Sequence, residues 1–205
     1  MATIDFITIE VADATAADGF YTAAFDLGTR VRLRASEAPS AGFRGFTLSL
    51  VVSQPATVNT LIDSALDAGA ASVKPAAKSL WGYGGVVQAP DGTVWTVACS
   101  TKKNTGPATR EIDDVVLQLG VADVAASRQF YVDQGFAVGK SYGRRYVELG
   151  DPSSPVKLTL YPRRALAKVA GVRADGTGSH RLAIGSDVGP FTDPDGFVWE
   201  AASPT

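Results

Sequence analysis

The chain of 205 residues has one cysteine, one histidine and one methionine. A lone Cys99 excludes an intramolecular disulfide framework and a cysteine-built zinc site. It closes an apolar, strand-like run and reads as a buried structural thiol, not a nucleophile. A lone His180 excludes any metal centre that needs two imidazoles. No apolar run approaches the roughly 20 residues of a membrane span, and no charged-then-apolar leader follows Met1, so a cytoplasmic protein is expected. Charge of one sign is also missing: 19 basic against 21 acidic residues leave a net charge of −2. Without a basic field, neither nucleic acid nor an anionic membrane is an expected partner. There is no Gly-x-x-x-x-Gly-Lys-Ser/Thr phosphate loop and no Gly-x-Ser-x-Gly elbow.

What is present is an internal repeat, which is best sought before local structure. Val11-Ala12-Asp13 is followed by Phe20-Tyr21, and Val121-Ala122-Asp123 by Phe130-Tyr131, at the same spacing and a constant offset of 110 residues. Each half also closes alike, on Ala89-Pro90-Asp91-Gly92-Thr93-Val94-Trp95 and on Asp193-Pro194-Asp195-Gly196-Phe197-Val198-Trp199. The polar, turn-rich stretch 100–109 joins a first module (1–99) to a second (110–205).

Within each half the periodicity predicts local structure. Ile7, Ile9 and Val11 alternate with polar residues as in a half-buried strand, and Asp13 is placed to cap a helix that buries Phe20. Residues 46–52 form a more continuously apolar strand, and 57–68 a helix stopped by Gly69. Residues 86–98 form a hairpin about Pro90-Asp91-Gly92. The second half repeats the scheme with strands at 115–121, 145–149, 156–161 and 181–185, and a helix at 124–134. It lacks the long second helix, having a short one at most at 165–169.

A strand, an Asp-capped helix ending in Phe-Tyr, and strands closing on Asp-Pro-Asp-Gly-x-x-Trp-Glu together resemble the vicinal oxygen chelate superfamily, which includes glyoxalase I, bleomycin-resistance proteins and extradiol dioxygenases. The resemblance covers nearly the whole chain. It implies an α+β fold of two tandem βαβββ modules, whose curved mixed sheets surround a central cavity. It also implies a divalent metal held by His and Glu. At the first ligand position this chain has Phe6 in one half and Val116, or Asp114 with a slip, in the other. At the middle position it has Phe46 and His180, and at the last Thr96 and Glu200. The first half is therefore stripped of ligands, while the second retains His180 and Glu200, with Asp114 in doubt.

No metal cofactor is expected on this reading, a divalent ion at His180 and Glu200 being the lesser alternative. The same three residues, His180, Glu200 and Asp114, are the catalytic candidates should the chain be an enzyme. A ligand pocket is instead expected from aromatics and arginines: Phe6, Phe43, Arg44, Phe46, Trp81, Tyr83, Tyr142, Arg144 and Tyr146. The expected function is binding of an aromatic or amphipathic small molecule by a monomer or homodimer, akin to the antibiotic-sequestering members of the superfamily. The alternative is a metal-dependent lyase, isomerase or dioxygenase using the second module.

Overall fold

The computed structural model describes residues 1–202. In the first half it runs β1 (Ile4–Val11), α1 (Ala14–Ala24), β2 (Val31–Ala35), β3 (Ser40–Gly42), β4 (Phe46–Val51), α2 (Pro55–Asp67), β5 (Ala71–Ser79), β6 (Gly82–Gln88) and β7 (Val94–Cys99). In the second half it runs β8 (Asp114–Val121), α3 (Val124–Asp133), β9 (Val138–Ser141), β10 (Val147–Leu149), β11 (Val156–Pro162) and α4 (Arg163–Ala170). The half ends with β12 (Gly176–Gly178), β13 (Leu182–Ser186), β14 (Phe191–Thr192) and β15 (Val198–Ala201). Among the described residues no helix is long and apolar enough to cross a membrane.

The repeat is visible in the caps. Asp13 accepts the Ala16 amide at 2.9 Å, and Asp123 accepts those of Ala125 and Ala126, so each helix starts at the acid of its Val-Ala-Asp motif. The tyrosine of each Phe-Tyr pair then points its ring at the tryptophan that closes its half. Tyr21 lies 5.5 Å from Trp95 and Tyr131 5.3 Å from Trp199, centroid to centroid. All four of these side chains are buried, and burial of each large ring stabilises by roughly 2–3 kcal/mol.

The strands interleave across the halves. A large sheet of eight strands has the order β5-β6-β7-β4-β8-β11-β10-β9, and a small sheet of five has β14-β15-β13-β1-β2. At the centre of the large sheet β4 meets β8 antiparallel, Leu48 opposite Leu117. At the centre of the small one β1 meets β13 antiparallel, Ile7 opposite Ile184. Each sheet thus draws on both halves, because the apolar strands that begin the units are the ones with two faces to bury. One continuous core joins the two sheets. It takes Leu48, Leu50, Leu117 and Leu158 from the large sheet and Ile7, Ile9 and Ile184 from the small one. Residues 100–113 carry no helix or strand and are held by Gln54, whose side chain accepts from the amides of Thr105 and Gly106 and donates to Pro107 O.

The large sheet's other, inner face carries Thr47, Ser49, Val116, Gln118 and Gly120, which alternate with the core residues. Helix α4 lies on this face at one end. A side chain on Gly120 would place its Cβ 3.0 Å from Arg163 Cα and from Gly45 O, so glycine is what admits the helix. Beneath α4, Ala170 packs with Val86 and Val94, and Leu166 and Ala167 pack with Phe43. Lys74 on β5 donates to the carbonyls of Lys168 and Val169, a cationic cap on the helix C-terminus. Helix α4 thereby covers one end of the inner face, over β4 and β8, with a pocket beside it toward β6 and β7, and the rest of the half built by β8–β11 is left open.

Candidate functional site

The open half is a cleft of about 680 Å³. Its floor follows from strand register. Glu148 on β10 lies opposite Thr159 on β11, Thr159 beside Gln118 on β8, and Gln118 opposite Thr47 on β4. Thr47 Oγ1 donates to Gln118 Oε1 at 2.9 Å, and the Tyr146 hydroxyl donates to Glu148 Oε1 at 2.7 Å. Thr159 is 4% exposed and its hydroxyl has no hydrogen-bond partner. A buried hydroxyl left unpaired is costly, which makes it conspicuous on the floor of a cleft. The wall is aromatic: Tyr146 meets Tyr161 edge to face at 5.0 Å, and exposed Tyr142 leans on Tyr146 at 5.9 Å. Burial, reinforced by the Glu148 carboxylate, holds the Tyr146 phenol far above its ordinary range, and burial raises that of Tyr161 too. Both remain neutral donors. At the far rim Lys157 Nζ lies 3.9 Å from Asp114 and also donates to Pro152 O.

The superfamily's metal does not fit the residues present. On the large sheet two of its ligand positions fall in one row, Thr96–Ser49–Val116–Lys157, read across β7, β4, β8 and β11. That row holds no imidazole or carboxylate, and its ammonium repels a cation. On the small sheet the corresponding row is Phe6–Gly185–Glu200 across β1, β13 and β15. Phe6 lies against Gly185 with the Arg32 guanidinium 3.4 Å above its ring. Arg34 bridges Glu10 and Glu200, at 2.8 Å to each. Glu200 is therefore ion-paired and only partly buried. His180 is committed elsewhere. Its ring stacks on Phe197 at 4.0 Å, and its nitrogens meet the main-chain oxygens of Arg44 and Asp195. Among the described residues no three His, Cys, Asp or Glu side chains converge as a metal site.

The expected pocket residues separate into several places. Tyr146 lines the cleft with Asp114, and Tyr142 stands at its lip; Arg144 is exposed in the turn between β9 and β10. Phe43, Arg44 and Phe46 line a different pocket of about 670 Å³, beside α4 and residues 172–175. Burial lowers the Arg44 guanidinium from its usual value, and Arg44 donates to Asp91 O, which fastens the Pro-Asp-Gly turn. Phe6 packs within the small sheet, away from both pockets. Trp81 is 88% exposed at the β5–β6 turn, and Tyr83 donates to Asn59 on α2 at 2.9 Å. The glycines beside them serve strand packing rather than ligand approach. A Cβ at Gly82 would lie 2.0 Å from Cys99 O, and one at Gly85 would lie 2.7 Å from Ile62 Cδ1. Cys99 is free and buried. Sequence reasoning missed Glu148, Thr159, Gln118 and Tyr161. Alternation along 156–161 marked Thr159 as facing away from Leu158 and Leu160, but only strand pairing brings it beside Glu148.

No family model matches the chain, and no curated protein matches it in sequence. Solved structures do match in shape. Glyoxalase I from Zea mays superposes with a TM-score of 0.62 at 15% identity, over 97% of this chain and 91% of the maize chain. Its V278E mutant gives 0.61 at 16%, over 97% and 91%. A protein provisionally named a dioxygenase from Bacillus subtilis gives 0.56 at 11%, over 89% and 69%. With the duplicated Asp-capped helices and Pro-Asp-Gly turns, this likeness gives the chain the two-module fold of the vicinal oxygen chelate superfamily.

Proposed function

We propose that the chain binds an aromatic or amphipathic small molecule, non-covalently and without a metal, in the cleft between β8, β10 and β11. The observation that carries this reading is the pairing of two features on one face. A tyrosine-walled cleft with an unpaired buried hydroxyl lies open beside a row, Thr96–Ser49–Val116–Lys157, from which the ligand set of the fold's enzymes is gone. Flat ligands bind such walls by ring contact and apolar burial, while a few fixed polar groups orient them. Sequestration of a compound such as an antibiotic is the role this binding would serve.

The test has two parts. Purified protein dialysed against Zn²⁺, Mn²⁺ and Fe²⁺ is analysed for bound metal by mass spectrometry, with only substoichiometric metal expected. A panel of aromatic natural products is then titrated while backbone amide shifts are followed. The expected shifts fall at Tyr146, Glu148, Thr159 and Tyr161. One tightly held metal per chain, or shifts confined to residues 40–46 and 172–175, would overturn the reading.

A further inference from the structure

We infer that the cleft selects ligands bearing a protonated amine, with Glu148, the Thr159 hydroxyl and the Tyr146 ring as the recognition group. This rests on the cleft being the binding site. Three carboxylates line it, Asp114, Glu148 and Asp151, against two ammonium groups, Lys140 and Lys157, so its balance is acidic. Two of the three carboxylates are already engaged. Asp114 lies beside Lys157, and Asp151 accepts the amide and hydroxyl of Ser153, which hold its carboxyl below the usual range. Glu148 is half-buried and has no cationic partner among the described residues; it accepts only from the Tyr146 hydroxyl and, at 3.4 Å, from the Lys140 amide. A half-buried carboxylate beside an electron-rich ring, here Tyr146, attracts a cation through charge and ring quadrupole together.

The unpaired Thr159 hydroxyl completes the case independently of charge. It lies directly across the ladder from Glu148 and has a lone pair that nothing among the described residues uses. A primary or secondary ammonium has more than one N–H to donate, so it satisfies Glu148 and Thr159 at once. Neutral alcohols would meet Thr159 but leave Glu148 without its counter-charge, and carboxylate ligands would be repelled by it.

The experiment uses the whole chain and three probes: phenethylammonium, 2-phenylethanol and 3-phenylpropanoate, each titrated by amide shifts at β10 and β11. The amine should bind about tenfold more tightly than the alcohol, as expected for hydrogen bonds to a charged group. Glu148→Gln should abolish that preference, bringing amine and alcohol to equal affinity. Thr159→Val should weaken amine binding several-fold while raising the melting temperature, since it removes an unpaired buried hydroxyl. That opposed pair of effects separates ligand recognition from a merely structural role, and the rise in melting temperature shows that the variant folds. Equal binding of amine and alcohol at these amides, or an unchanged preference in Glu148→Gln, would overturn the inference and leave the site standing. Failure of all three probes to shift the β10 and β11 amides would overturn inference and site together.

Discussion

The two halves of the large sheet's inner face start from the same strand order and end differently. Over β4–β7 the face mixes Thr47, Ser49 and Thr96 with Val86 and Val94, and the end of α4 packs on the two valines. Over β8–β11 the matching face carries Gln118, Thr159, Tyr161 and Glu148 and stays open. The long helix α2 is already spent on the outer side of the first half, where Leu61 and Ile62 join the core. The second half has no helix of that length at the same place. Its eight-residue α4 turns inward instead, admitted by Gly45 and Gly120 and capped by Lys74. Helix α4 thus takes up part of one half-face, leaving the pocket at Phe43, Arg44 and Phe46 beside it, while the other half-face lies open along its cleft. Duplication allows this division because each half-face is assembled from a separate βαβββ unit.

The largest expected effect comes from breaking the filled half. Leu166 is 1% exposed and seats α4 against Phe43 and the strands beneath. Leu166→Ala should cost about 3 kcal/mol in urea unfolding, the usual size for a buried leucine truncation. It should also raise hydrogen exchange at 163–172 without raising it at β10 and β11. A cost under about 1 kcal/mol would mean that α4 rests loosely and that the two half-faces are alike in openness.

Much of this asymmetry was legible beforehand, and the missing part has a physical reason. The Asp caps, the Phe-Tyr pairs, the Pro-Asp-Gly turns and the shortened helix near 165–169 all depend on residues close in sequence, whose periodicity or turn chemistry declares itself. Strand β5, by contrast, is a mostly exposed edge with no alternation to detect, and it was missed. The aromatic list was read residue by residue, so Trp81 at an exposed turn and Phe6 in the small sheet stood on equal terms with Tyr146. What sorts them is register between strands remote in sequence, and register is a tertiary property. Glu148 offers the clearest case: the aromatics near it in sequence, Tyr142 and Tyr146, stand out, but only strand pairing sets Glu148 beside Thr159 on the inner face.

A second contrast separates the two closing tryptophans. Trp95 Nε1 donates to the Tyr21 hydroxyl at 3.3 Å, and that hydroxyl donates to Asp91 at 2.6 Å. Trp199 Nε1 is buried with no hydrogen-bond partner among the described residues, although Tyr131, which donates to Asp193, lies against it. The acceptors are not repeat equivalents. Asp91 matches Asp195, which in the second half is occupied by Ser127 and the Ala122 amide. Phenylalanine at either tryptophan removes similar volume, but at 95 it also breaks a hydrogen bond, while at 199 it removes an unsatisfied donor. Trp95→Phe should therefore cost about 2 kcal/mol more than Trp199→Phe in parallel urea titrations. Equal costs would show that the two networks are energetically the same.

The smallest effect concerns the acceptor that only the second half has. Burial raises the Asp193 carboxyl above its ordinary value, prevailing over the hydrogen bonds from the Tyr131 hydroxyl and the Phe197 amide that favour its charged form. In the unfolded chain this group titrates near 4. Between that pH and its raised native value, the folded state holds a proton that the unfolded state has released. Linkage then requires the group's contribution to stability to fall as pH rises through that window and to be level above it. Asn in its place can keep the Oδ1 acceptor for the Asp195 and Phe197 amides, at 3.0 and 2.8 Å in the native protein, but cannot titrate. The melting temperature of the wild type minus that of Asp193→Asn should therefore decline as pH is raised from about 3.5 toward neutrality. A difference that instead grows with pH would place the charged carboxylate, not the protonated one, as the form the second half is built to hold.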